Sequence, residues 1–189
     1  MLAKVLLILM TIAFCIPGVQ GAEIEILEIN NDNAFDQVVN YWCANTGMMQ
    51  HRPGGSISKF AEGRSGSSMK ISNTEQSYSA LFSQSLIPVE GNEDIFKLSF
   101  YVKGNGKFSV GFYTYSAKKT FVNTYFEPAT QLAAEDWVCK SYTIPEIKIK
   151  GDIAFVRIAI EVQPGLAELY FDDFSGSKES ILPPLASQP

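Results

Sequence analysis

Histidine, cysteine, basic clusters and long apolar runs are all scarce in this chain, and each scarcity narrows what it can do. The single histidine, His51, sits in a Gly-rich loop beside Arg52 and Pro53. No serine stands in a nucleophile-elbow context, so a histidine-based triad would rest on that one residue. One histidine and separated cysteines make no recognised zinc pattern. No basic cluster exceeds Lys118-Lys119 and the formal net charge is −5, which argues against nucleic acid as a partner. The one long apolar run, from Val5 to Ile16, falls short of the roughly 20 residues that span a bilayer. After residue 21 no segment carries a helical period.

That apolar run follows Lys4 and precedes Pro17, Val19 and Gly21, the pattern of a secretory signal peptide over residues 1–21, cut after Gly21. Cys15 follows the bulky Phe14, not the small residue that a lipid-anchor signal has. The expected product is secreted, extracellular or periplasmic, with no membrane span. It comprises one domain over residues 22–178 and a disordered, Pro-rich tail over 179–189 that includes Pro183-Pro184. Cys43 and Cys139 remain, and an exported chain with two cysteines commonly joins them. The bridge would close a loop of about 95 residues, for which chain entropy gives roughly 4 to 5 kcal/mol; the alternative is two buried thiols that never meet.

What is abundant is alternation. Phe96, Leu98, Phe100 and Val102 share a face, as do Phe108, Val110, Phe112 and Thr114, with the period of two that a strand requires. Between them Gly104-Asn105-Gly106 predicts a tight hairpin, since these residues tolerate positive φ. In Ile153 to Val162 the residues Val156, Ile158, Ile160 and Val162 oppose Phe155, Arg157, Ala159 and Glu161. Further strands are expected over Glu23 to Ile29, Ser56 to Phe60, Ser68 to Ser72, Tyr78 to Leu86, Thr120 to Phe126, Trp137 to Ile144 and Leu169 to Phe174. About ten short strands separated by turn signals predict an all-β, two-sheet antiparallel β-sandwich. Asp172 and Asp173, adjacent on a strand, are expected to point to opposite faces, and so not to form the carboxylate pair of a glycosidase.

Several ordered motifs now stand together: an Asn-rich turn with Phe35-Asp36, Trp42, Gly63-Arg64-Ser65-Gly66-Ser67-Ser68-Met69-Lys70-Ile71, Phe100-Tyr101-Val102-Lys103, Trp137 and Tyr170-Phe171-Asp172-Asp173-Phe174. In order and spacing they resemble the carbohydrate-binding modules of the CenC type, within the galactose-binding-like jelly rolls. The resemblance runs from about Asn30 to Ser175. It implies a non-catalytic domain that binds a poly- or oligosaccharide. It also implies a structural calcium tying the first strand to the last, held by Asp36, a carbonyl near Ser67, and Asp172. Asp36 stands where the family more often has glutamate. The chemistry suits calcium, which takes carboxylate and carbonyl oxygens. The resemblance further implies that Trp42 and Trp137 pack the sandwich.

The ligand candidates lie on the non-core side of the central strands: Tyr101, Tyr113, Tyr115, Tyr125, Arg157 and Glu161. Flat rings meet the C–H faces of pyranoses, and planar charged groups bind hydroxyls. Tyrosines also suit half-exposed strands by propensity alone. Two further readings stay open, a structural or adhesive surface protein and a jelly-roll polysaccharide hydrolase or lyase.

Overall fold

The structure is a computed structural model, and it describes residues 23–25, 56–64, 66–74, 79–83, 85–89, 94–145 and 152–179. The signal segment, Asp36, Trp42, Cys43, His51 and the tail beyond Glu179 lie outside the described residues. Ten strands are described: β1 (Glu23–Glu25), β2 (Ser56–Phe60), β3 (Ser68–Asn73), β4 (Ser79–Phe82), β5 (Ile87–Pro88), β6 (Ile95–Tyr115), β7 (Phe121–Phe126), β8 (Thr130–Pro145), β9 (Phe155–Val162) and β10 (Ala167–Glu179). All their pairings are antiparallel, and the all-β sandwich expected from the sequence is the fold.

The expected hairpin at Gly104-Asn105-Gly106 is replaced by something else. A single 21-residue strand, β6, runs through those residues, and Phe96, Leu98, Phe100, Val102, Gly106, Phe108, Val110, Phe112 and Thr114 are all buried along it. A straight strand would hold Phe96 and Phe112 roughly 50 Å apart, yet their ring centroids are 4.8 Å apart, and those of Phe100 and Phe108 are 6.0 Å apart. The strand therefore folds over near Gly104, and its two halves face each other through side chains.

A hairpin would have paired the halves edge to edge, but both edges of each half are already taken. β10 and β8 hydrogen-bond the first half, and β9 and β7 the second. Gly104 permits the corner: its φ is +109°, and a Cβ there would lie 2.0 Å from the Glu168 carbonyl oxygen, so only glycine lets β10 approach so closely.

Two layers result, joined by β6. One is β2-β3-β10-β6-β8, with β1 on β10; the other is β4-β9-β6-β7, with β5 on β9. Ile57, Met69 and Ile71 from the first layer meet Leu81, Ile158 and Ile160 from the second in one core. Phe100 is its hub, with the rings of Phe108, Tyr142, Phe171 and Phe174 at 6.0 Å or less. Each fully buried side chain of this size contributes about 1.5–3 kcal/mol. Trp137, expected in this core, is instead half-buried on the outer side of β8 with the Lys103 ammonium 4.9 Å from its ring.

β10 also departs from simple alternation. Its pairing with β6 shifts register between Asp172 and Ser175, and Asp173 has φ 49°, a left-handed conformation that aspartate tolerates. The bulge turns Asp172 and Asp173 toward one loop. Arg64 donates its backbone N–H to Asp172 Oδ2 at 2.6 Å and its Nη1 to Asp173 Oδ2 at 2.6 Å. The two acids thus share a partner, where strict alternation would have separated them.

Candidate functional site

Because both halves of β6 turn their even-numbered residues into one core, the odd-numbered residues of the two halves look out from opposite surfaces. The six ligand candidates are divided accordingly. Tyr113, Tyr115, Arg157 and Glu161 come together on the outer face of the β4-β9-β6-β7 layer. Tyr101 lies on the opposite surface. Tyr125, paired with the core residue Phe112, packs against the core and donates its hydroxyl to Glu127 Oε1 at 2.6 Å.

On the first of these faces Tyr113 is opposite Arg157 and Gly111 is opposite Ala159. Tyr113 donates its hydroxyl to Glu161 Oε1 at 2.9 Å, so the phenol reaches along the sheet past the small residues Gly111 and Ala159, and it packs against Ala80, Phe82 and Ala159. Three rings flank it at steep angles: Phe82 at 83°, Phe121 at 68° and Phe126 at 80°, with centroids 5.1, 6.1 and 5.8 Å away. Phe121 is 53% exposed; Tyr113, Phe126 and Glu161 are half-buried. Tyr115 and Arg157 are buried, each 7% exposed. Burial pushes the Tyr115 phenol up from its ordinary value, with Arg157 acting the other way.

Phe121 and Phe126 are the members that the sequence reading left out. Strict alternation puts them on opposite sides of β7, but the β6–β7 pairing shifts register between Thr114 and Tyr115. The shift brings both rings to the side of Tyr113. Phe126 lies directly over Gly111, where a Cβ would sit 1.9 Å from the Tyr125 carbonyl oxygen and 2.6 Å from the Phe126 Cα. The glycine, legible in the sequence, is the signal that something crosses there.

The opposite surface also carries aromatics, and its own cations cover them. The Arg64 guanidinium lies 3.8 Å from the Tyr101 ring centroid. Lys70 and Lys103 stand 5.2 and 5.3 Å from that of Tyr170. Glu168 accepts hydrogen bonds from the Tyr170 hydroxyl and forms an ion pair with Lys70 at 2.8 Å. The Lys70 hydrogen bond, then that of Tyr170, hold its carboxyl below the ordinary range. A cleft of about 560 Å³ opens beside this network, lined by Lys103, Asn105, Ala134, Glu135, Glu168 and Tyr170 among others.

Of the calcium candidates, Ser67 and Asp172 are brought together. The Ser67 carbonyl oxygen and Asp172 Oδ2 converge on the space beside Gly63, where a Cβ would lie 2.4 and 2.6 Å from them. Asp172 is fully buried. Among the described residues no group of three or more His, Cys, Asp or Glu side chains could hold a metal, so a site here needs Asp36 and backbone oxygens. Cys139 is an exposed, free thiol; it lies opposite Tyr101 and so faces away from the core. Cys43, the other half of the expected bridge, lies outside the described residues.

No family model and no curated protein match the chain. Solved structures do. A family 22 xylan-binding domain from Paenibacillus barcinonensis is similar with a TM-score of 0.54 and 13% identity, over 79% of this chain and 94% of its own. A family 11 carbohydrate-binding module from Clostridium thermocellum, in complex with a β-1,3-1,4-mixed-linked tetrasaccharide, has a TM-score of 0.53 and 14% identity, over 86% of this chain and 97% of its own. The enzymatically active domain of tailspike protein 4 of bacteriophage CBA120 has a TM-score of 0.56 and 8% identity, over 77% of this chain; the chain spans only 20% of that protein. The fold is the β-sandwich that carbohydrate-binding modules use.

Proposed function

We propose that the chain is a secreted carbohydrate-binding module of the CenC type, without catalysis of its own. It holds a poly- or oligosaccharide across Tyr113, and calcium at Asp36, Ser67 and Asp172 braces its fold. The observation that carries this reading is the Tyr113 surface: a half-exposed phenol flanked by three upright rings, with the Glu161 carboxylate at its end. Pyranose binding uses that combination, a flat apolar surface for C–H faces beside an acceptor for hydroxyls. The rings of the opposite surface suit a sugar less well, because Arg64, Lys70 and Lys103 already lie over them.

The test is affinity electrophoresis of the protein against a panel of polysaccharides. Retardation by one polymer class is expected, abolished in Tyr113→Ala and weakened in Phe121→Ala. The exposed Phe121 ring can be removed with little loss of stability, so its effect reports binding. Retention unchanged in both variants, with a lower melting temperature for Tyr113→Ala, would reassign these rings to packing. The burial of Tyr115 favours a second reading, a structural or adhesive surface protein, and absence of retardation on every polymer would select it.

A further inference from the structure

Among the described residues Arg157 is a buried cation without a counter-charge. It is 7% exposed. Its Nη1 donates to the Ser83 carbonyl oxygen at 3.3 Å, its guanidinium carbon lies 5.5 Å from the Tyr115 ring centroid, and its Nε is buried with no acceptor. No carboxylate pairs with it among the described residues. Arginine does not escape such a position by losing its proton, and a buried charge without an anion is costly.

The geometry says which edge is unpartnered. With Nη1 engaged by Ser83, the Nε and Nη2 donors remain, the parallel pair that a carboxylate accepts side-on. Arg157 lies directly opposite Tyr113. The turn that follows Tyr115 adds two exposed lysines, Lys118 and Lys119. Asp152, exposed, is the acid among the described residues that lead into β9, and Glu161 stands at the far end of the face, beyond Ala159, taking the Tyr113 hydroxyl. The Arg157 end of the face is therefore cationic within a chain whose formal net charge is −5.

We propose that the glycan held on this face is acidic: a uronic-acid-containing saccharide whose carboxylate docks on Nε and Nη2 of Arg157 while a neighbouring sugar ring lies on Tyr113. This rests on the glycan-binding reading above and adds to it the chemical class of the ligand.

The experiment measures retardation by polygalacturonate, alginate and glucuronoxylan, each beside its carboxyl-reduced, neutral counterpart, with dextran sulfate as a control for charge alone. At least one uronate polymer is expected to bind roughly tenfold or more tightly than its reduced form, the worth of one charge-assisted bidentate contact. In Arg157→Gln that difference disappears, and Arg157→Lys restores only part of it because the fork is lost. Equal binding of acidic and reduced polymers overturns the inference and leaves the glycan reading standing. Tighter binding of dextran sulfate than of any uronate polymer overturns it in favour of unspecific charge attraction. Binding to no polymer removes both. Should Arg157→Gln fail to fold, the wild-type comparison of acidic with reduced polymers decides alone.

Discussion

Tyr113 and Tyr170 are the same residue type on outward strand positions and both are half-buried, yet their surroundings differ. Tyr170 is bracketed by Lys70 and Lys103 and gives its hydroxyl to Glu168; Tyr113 is flanked by rings and remains half-exposed. The difference comes from side chains on neighbouring strands. A testable consequence attaches to Glu168, whose carboxyl the Lys70 hydrogen bond lowers. A carboxyl lowered by folding contributes stability above its unfolded value, and the contribution fades as pH falls through the folded one. Glu168 is largely solvent-exposed, so screening keeps the effect within about 1 kcal/mol. Glu168→Gln is expected to lower the melting temperature slightly at neutral pH, the gap closing below the ordinary carboxylate range; a gap that persists in acid would mean that the ion pair is not its source. At this scale the sequence was informative about which side of a strand a residue takes. The inward and outward sets of β9 follow its alternation, with Val156, Ile158, Ile160 and Val162 buried. It was uninformative about which rings cations cover, because Arg64 reaches Tyr101 from the β2–β3 loop and Lys70 reaches Tyr170 from a neighbouring strand.

Among the elements, β6 shows both what alternation reveals and where it misleads. Its even-numbered apolar residues keep one phase across Gly104-Asn105-Gly106, and that unbroken phase was the legible sign of a continuous strand. The glycines signalled a change of direction, which occurs, but between layers instead of between hydrogen-bonded neighbours. No local pattern distinguishes these two, since the choice depends on β8, β9 and β10 occupying the edges. The bulges in β7 and β10 were hidden for a similar reason: one extra residue exchanges the faces of everything beyond it. Two substitutions follow. Gly104→Ala would combine left-handed strain of about 1–2 kcal/mol with a clash against the Glu168 carbonyl, and is expected to lower stability throughout the molecule. Gly111→Ala should push β7 away and cost about 3 kcal/mol, with glycan retention lost as Phe121 and Phe126 move. A short Gly-Ser insertion after Asn105, harmless at a hairpin tip, is expected to unfold the protein as read by circular dichroism; a native melt would show that the corner tolerates slack and that the two halves of β6 are independent.

For the molecule as a whole, the loop around Gly63 and Arg64 ties the β2–β3 side of the first layer to β10 through Asp172 and Asp173. Calcium at Ser67 and Asp172 would add to this tie. Excess chelator is then expected to lower the melting temperature of the wild type and to leave Gly63→Ala unmoved, because a methyl group there fills the space between the two oxygens. A wild-type melt that chelator does not change removes the ion from the proposal. The layer itself carries a further consequence. β10 is the last of the ten described strands along the chain, but it sits between β3 and β6 in space. Until it emerges, β3 lacks its inner neighbour and β6 one of its edges. Synthesis must therefore run nearly to Glu179 before the sandwich can close, so the growing chain stays open and unpaired along these edges until its C-terminal end has been made.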